Sequence, residues 1–555
     1  MANKSNALMA DVVFRNGVIQ TLNPQVGVVD SIAFKDGKVL AVGKVADQFA
    51  ARKSIDLNGS FAMPGLLDVH NHHLIAGQME LFELVFPPTL SFEELLERLR
   101  TEAAQLEDGA WIVGGSWGSG LLQSLNCSEA LKAIDEATGP HPLLLKDDSK
   151  HNRLVNSKAM ELAGIDDATE DPDGGQILRD GEGRATGVLL EAAGVIVEQT
   201  YSALCPQTDE DIEAAAFRGI EILHSYGITA FQDAASSLQL MRALKRLDDS
   251  GQLKSWVVTS MAANDFIFGT QPLGERIIEN REETRSRHHR PDFIKIFLDG
   301  VPPAGTAAFL EPYLEGIGFP QCHCGETTMP VAELEEWLKS TAKRGISAKI
   351  HCTGDASVRY VLDAVQKVRE LGYEDTRYHV AHGQFVHEED IPRFQELNVV
   401  ADISPALWFP GVISEAIATV LPPERAEKMQ PNRSLLDSGA IISGGSEWPV
   451  SETPNVWAAI YGLVTRKNPT GKFSGQLWAD QAITLEEAIA AYTTAPAYAM
   501  GLGDQVGRLE PGLSADMVIL SSNPYEISLE EIKEIVAMET WFAGECVFSR
   551  QAMVS

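Results

Sequence analysis

Two histidines separated by one residue close an apolar run, Leu66-Leu67-Asp68-Val69-His70-Asn71-His72. In an extended strand, residues i and i+2 point to one face, so both imidazoles can reach one metal ion at about 2.0–2.1 Å. His-x-His is common by chance, but here it sits where a buried strand runs out into a loop. Two more histidines hold equivalent places. His351 ends the apolar run 346–351 and is followed by Thr353-Gly354-Asp355 and a helical pattern. His382 ends Tyr378-His379-Val380-Ala381-His382, 31 residues on, about one βα unit. Residues at the carboxyl ends of strands in a (β/α)8 barrel converge on one site. The alternative is that His351 and His382 are core histidines satisfied by hydrogen bonds, and it weakens when four of the 13 histidines share one placement.

Lys295 lies in Phe293-Ile294-Lys295-Ile296-Phe297-Leu298, where every neighbour is apolar. Burial of an ammonium is costly and lowers its pKa. A neutral amine can add carbon dioxide to give a carbamate, an anion able to bridge two metals. The other reading is a lysine facing out of the barrel and snorkelling between helices. Glu447 follows an apolar strand in Gly444-Gly445-Ser446-Glu447-Trp448-Pro449. A carboxylate at a late strand end can take a proton from metal-activated water and pass it to a leaving amine. His151, Trp117 and Trp408 are expected to contact substrate, with core packing as the other reading of the tryptophans. Cys322-His323-Cys324 reads as a loop and His288-His289 as a surface patch. No phosphate-binding glycine loop, Gly-x-Ser-x-Gly elbow or Cys–His nucleophile pattern is present.

The elements that must position these residues alternate short apolar strands with amphipathic helices, the pattern of a parallel sheet. Strands are expected at 61–69, 228–232, 293–298, 346–351, 378–382, 399–403 and 440–444. Residues from about 80 to 220 read as inserted helix and loop over one end of the sheet. Both chain ends read differently, as short strands with tight turns such as Asp36-Gly37 and Ala543-Gly544-Glu545. The expected architecture is a small β-domain from residues 1–62 and 503–555, with residues 63–502 as the barrel.

The 555 residues carry 45 Lys plus Arg against 78 Asp plus Glu, a net charge of −33. That field repels nucleic-acid phosphates and anionic lipid and suits an enzyme of small molecules. Hydrophobic residues at 44% and charged residues at 22% exclude disordered and fibrous classes. Six cysteines are too few for a disulfide framework in so long a chain. The first eleven residues lack a signal peptide's apolar core, and no run is apolar enough to span a bilayer. The expected location is cytoplasmic.

These motifs resemble the amidohydrolase superfamily, in its YtcJ-like (amidohydrolase 3) branch, which includes N-substituted formamide deformylases. The resemblance runs in order through Met63-Pro64-Gly65 with His70-x-His72, Ser149-Lys150-His151, Gly187-Val188-Leu189, Lys295 with Asp299-Gly300, His351 with Gly354-Asp355, Ala381-His382-Gly383-Gln384, Gly445-Ser446 with Trp448-Pro449, and Pro511-Gly512 with Ala515-Asp516. It implies a distorted (β/α)8 TIM barrel with a small β-sandwich built from both termini. It implies one or two divalent metal ions, zinc first, held by His70, His72, His351 and His382, with Lys295 at the often carboxylated bridging position. It implies a homodimer. One departure stands out: the family has Asp after Gly-Ser, and this chain has Glu447, whose carboxylate is displaced by about one C–C bond. The function implied is hydrolysis of a C–N bond in a small N-substituted amide by metal-activated water. The alternatives are ester, carbamate or cyclic-amide hydrolysis, or a metal-binding homologue without turnover.

Overall fold

The computed structural model describes residues 9–87, 89–147, 152–172, 175–264, 271–316 and 319–553. Eight parallel strands form one sheet: β1 (Leu66–Asn71), β2 (Ile228–Ser236), β3 (Trp256–Ala262), β4 (His289–Phe297), β5 (Ser347–Cys352), β6 (Tyr378–His382), β7 (Val399–Ile403) and β8 (Ile441–Gly444). Each pairs with its neighbour in sequence. They are almost wholly buried, as strands covered on both faces must be. The sheet curls until its end returns to its beginning. Just past β8, the Glu447 N–H donates to the His70 carbonyl at 2.8 Å, and the His72 N–H donates to the Trp448 carbonyl at 2.8 Å. Gly445 permits this approach, because a Cβ there would lie 2.4 Å from the Cβ of His70. The result is a nearly closed barrel whose strands all end on the same side.

The helices between strands pack by their apolar stripes. Asp355–Glu370, after β5, buries Val358, Val361, Leu362, Val365 and Val368, the spacing of one helix face. Leu238–Asp249, after β2, does the same with Leu240, Met241, Leu244 and Leu247, and Ser237 caps its first turn by accepting from the Leu240 N–H.

Strands from both chain ends share a six-stranded sheet. Phe61–Pro64 pairs with Val18–Gln20 on one side and with Met517–Leu520 on the other, and Ala537–Phe542 and Glu545–Ser549 complete that side. Ala10–Arg15, Ile32–Lys35, Lys38–Val42 and Ala51–Asp56 form a four-stranded sheet. Phe14 and Phe34 of the smaller sheet share a core with Met517 and Trp541 of the larger.

Residues 74–218 form a compact unit of their own. An inserted helix-and-loop elaboration is expected there, and the structure adds a six-stranded sheet, with Leu84–Val85, Ile112–Trp117, Leu143–Asp147, Asn152–Val155, Ala185–Glu191 and Gly175–Arg179 in that spatial order. The glycines that make Ile112–Trp117 a weak strand by propensity are what let it pair. Gly114 has φ 148°, and a Cβ there would lie 2.2 Å from the Leu84 carbonyl oxygen. The histidine pair 288–289 is also corrected. His289 is fully buried, its Nδ1 donating to the Thr284 carbonyl at 2.9 Å, while His288 bonds Asp248 at 2.7 Å. Among the described residues no helix is long and apolar enough to cross a membrane. All six cysteines are free.

Candidate metal centre

His70 and His72 leave the end of β1, and Glu447 arrives from just beyond β8. Their donor atoms all lie within 4.8 Å of one another, and all three residues are buried. Glu447 Oε2 is 3.3 Å from His70 Nε2, and Oε1 is 3.5 Å from His72 Nε2. Ser404, just past β7, donates its hydroxyl to Oε2 at 3.2 Å. The backbone of Glu447 is left-handed, with φ 60°, a conformation costly for a branched or long residue unless its surroundings hold it. Asp68 supplies much of that hold. Its carboxylate accepts from the His70 N–H, the Asn71 side chain, the Ser446 N–H and the Ser446 hydroxyl, tying β1 to the segment that carries Glu447. Burial pushes the Asp68 carboxyl up.

His382 adds a fourth group. Its Nδ1 lies 3.6 Å from Glu447 Oε2. His382 follows Ala381, the register partner of His351, so simple alternation would send the two imidazoles to opposite faces. A left-handed backbone at His382, φ 69°, accompanies the approach of its ring to 4.5 Å from that of His351. His351 is held from another side. Its Nε2 donates to the Gly300 carbonyl at 3.0 Å and lies 3.6 Å from Asp299, leaving Nδ1 as its lone-pair nitrogen. Asp299 is anchored by the N–H groups of Ala308, Thr353 and Gly354 and by the Ser357 hydroxyl.

Lys295 is 1% exposed, which excludes the snorkelling alternative. Burial lowers its pKa to about 8, partly opposed by the nearby Glu447. Its Nζ stands 4.8 Å from the centre of the Phe297 ring. Burial also holds His70 and His382 well below the ordinary imidazole range, so both are neutral at pH 7 and available as ligands.

Both tryptophans expected to contact substrate are buried. Trp117 is 1% exposed in the core of the 74–218 unit, with Nε1 donating to the Leu145 carbonyl. Trp408 is fully buried beneath Arg466, whose guanidinium stacks 4.0 Å from the ring centre. Both rings spend their surface on packing. His151 lies outside the described residues. Two charged residues have no place in the sequence reading: Lys349 on β5 and Asp402 on β7, both fully buried, with Lys349 donating to Asp402 and Asp402 Oδ2 lying 3.2 Å from His70 Nδ1. The signal that marks Lys295, a charge inside an apolar strand, marks these two as well.

The donor set fits a divalent ion. His70 Nε2 and His382 Nδ1 are buried without a hydrogen-bond partner, which is costly unless something else satisfies them. Ligands about 2.1 Å from a tetrahedral ion stand about 3.4 Å apart. The three nitrogens lie 3.3, 3.5 and 3.6 Å from the Glu447 carboxylate.

Imidazoles and a carboxylate converging at the carboxyl ends of barrel strands are the site architecture of a metal-using hydrolase. The chain belongs to the amidohydrolase family, hydrolases of carbon–nitrogen bonds, and the family's model matches residues 53–548. It is 26% identical to N-substituted formamide deformylase of Arthrobacter pascens over 98% of this chain and 99% of that one. It is 27% identical to Protein LONG AFTER FAR-RED 3 of Arabidopsis thaliana, over 98% of this chain and 92% of that one. The fold is shared with an uncharacterized metal-dependent hydrolase from Pyrococcus horikoshii, at a TM-score of 0.75 and 23% identity, covering 93% of this chain and 99% of that chain.

Proposed function

We propose that this chain is a metal-dependent amidohydrolase that cleaves the C–N bond of a small N-substituted amide. The observation that carries the reading is the convergence of His70, His72 and Glu447 within 4.8 Å at the barrel's strand ends. His70, His72 and Glu447, with His382 beside them, would hold the ion, zinc being the first choice for this nitrogen-and-carboxylate set. When bound, such an ion supplies Lewis acidity: it polarises a substrate carbonyl and lowers the pKa of attacking water towards 7.

The chain's own groups would do the rest. Glu447, whose carboxylate accepts from the Ser404 hydroxyl and stands 3.3 Å from His70 Nε2 and 3.5 Å from His72 Nε2, accepts the proton of the attacking water. The water oxygen bonds to the acyl carbon, the C–N bond breaks, and the nitrogen leaves with the proton Glu447 carried. Lys295, partly neutral near its pKa of about 8, adds carbon dioxide with loss of a proton and so supplies a further anionic ligand. His351 contributes through Nδ1, its Nε2 being held by Gly300. Around this centre we read residues 63–502 as the barrel domain and the sheets from residues 1–62 and 503–555 as a small β-sandwich domain. The charge of −33 and the free cysteines support a cytoplasmic setting, with a small-molecule substrate and no nucleic-acid or membrane partner. A homodimer completes the proposal.

N-substituted formamides come first as substrates, because the relative in Arthrobacter pascens carries that name. The test is amine release from formamides and acetamides by zinc-loaded protein, beside an ester and a carbamate. Amide turnover that is lost in Glu447→Gln supports the proposal. No amide turnover by the metal-loaded wild type overturns it.

A further inference from the structure

Behind the metal centre lies a charged pair that belongs to no donor set. Asp402 on β7 and Lys349 on β5 are both completely buried. Lys349 Nζ donates to Asp402 Oδ2, and at 2.9 Å to the carbonyl of Val69, the residue before His70. The same Oδ2 faces His70 Nδ1 at 3.2 Å. On β6, His379 Nδ1 stands 3.8 Å from this carboxylate while its Nε2 donates to the Ala499 carbonyl at 3.0 Å.

Stability is a weak reason for such a pair. Burying two charges is expensive, and apolar replacements of similar volume are often neutral or stabilising. Position gives a better reason. An imidazole whose Nδ1–H donates to a carboxylate presents Nε2 as its lone pair. His70 Nε2 is the buried, unpartnered nitrogen 3.3 Å from Glu447. The Lys349 ammonium bonds both the carboxylate that holds the His70 ring and the backbone just before His70. Ring and strand are thus fixed from one point.

We propose that Asp402, anchored by Lys349, is the positioning residue for His70, fixing the tautomer and the ring plane that aim Nε2 at the ion. The inference rests on the metal-centre reading above and extends it to two residues outside the ligand set.

The test uses full-length protein stripped of metal, with zinc affinity measured by competition against a chromogenic chelator and folding followed by circular dichroism. Asp402→Asn keeps the shape and removes the charge. It is expected to stay folded and to bind zinc about 10–100-fold more weakly, the range for losing a carboxylate behind a ligating histidine. The visible spectrum of the cobalt-loaded variant should change with it. In Asp402→Asn/Lys349→Met the uncompensated ammonium is gone, so the melting midpoint recovers while zinc affinity stays low. Wild-type zinc affinity in Asp402→Asn overturns the proposal and leaves the pair purely structural. If Asp402→Asn does not fold, the double variant takes its place: weakened zinc binding supports the proposal, and wild-type affinity overturns it. Wild-type protein that binds no zinc overturns the metal-centre reading and this proposal with it, so the two failures are distinguishable.

Discussion

Glu447 meets His70 twice: its amide N–H donates to the His70 carbonyl at 2.8 Å, and its carboxylate Oε2 stands 3.3 Å from His70 Nε2. The first contact closes the barrel and the second builds the site. The closure therefore sets where the carboxylate stands, and the left-handed backbone at Glu447 is held by the same bonds. Glu447→Asp should fold but withdraw the carboxylate by about one C–C bond, costing around a hundredfold in kcat/KM. Glu447→Gln should lose nearly all turnover. Steady-state kinetics on the responsive amide check both, and full activity in Glu447→Gln would remove the carboxylate from the chemistry.

Gly445 tests the closure directly. Its missing Cβ would lie 2.4 Å from the Cβ of His70 and 2.9 Å from the His70 nitrogen. Gly445→Ala should lower stability by about 1–3 kcal/mol, as overpacking does, and weaken metal binding because His70 must shift. Denaturant unfolding and zinc titration measure the two effects. A variant unchanged in both would show that β1 and the segment after β8 do not lock together.

Much of the candidate site is legible in the sequence because it follows spacing. His70 and His72 are two apart where one strand runs out, His351 and His382 lie at or next to the ends of theirs, and Lys295 is conspicuous among apolar residues. What the sequence hides depends on contacts made at long range. Lys349 and Asp402 are 53 residues apart, and only the barrel brings them together. Asp68 reads as an ordinary residue before His70 until Ser446 folds onto it. The strand Trp256–Ala262 escapes a sequence reading because it carries Thr259 and Ser260 and ends in no reactive group. Ile112–Trp117 escapes it because its glycines argue against a strand until a neighbouring backbone needs the room. The role of the tryptophans is not legible in the sequence, because an aromatic near a loop reads alike whether it lines a pocket or fills a core.

Asp516 supplies a pH test away from the metal centre. It is 4% exposed, and its Oδ1 accepts from the Ala543 N–H and the Ser514 hydroxyl. Burial pushes its carboxyl up from 3.8 to about 7. Between about pH 4 and 7 the folded state thus keeps a proton that the unfolded state has released. Stability falls as pH rises through that window, and the loss is complete above it. Asp516→Asn, neutral at every pH, should match wild type near pH 4 and exceed it at pH 8. A shift of about three units corresponds to on the order of 4 kcal/mol as an upper bound. Denaturant unfolding at the two pH values decides, and a stability difference independent of pH would contradict the burial argument.

Metal removal should be visible in stability as well as in rate. An ion bound only by the folded state stabilises it by about 4 kcal/mol at a thousandfold saturation. Chelation should lower the melting midpoint and added zinc should restore it. His70→Ala/His72→Ala should show neither response, and a zinc response preserved in that variant would place the binding site elsewhere.

The most direct measurement is elemental analysis of protein purified without chelator, for the wild type and for His70→Ala/His72→Ala. The metal-centre assignment predicts one or two divalent ions per chain in the wild type, two if carboxylated Lys295 bridges them, and none held by the variant. A wild-type chain that holds no metal, even after incubation with zinc and bicarbonate, would contradict the hydrolytic mechanism and leave the family's fold without its chemistry.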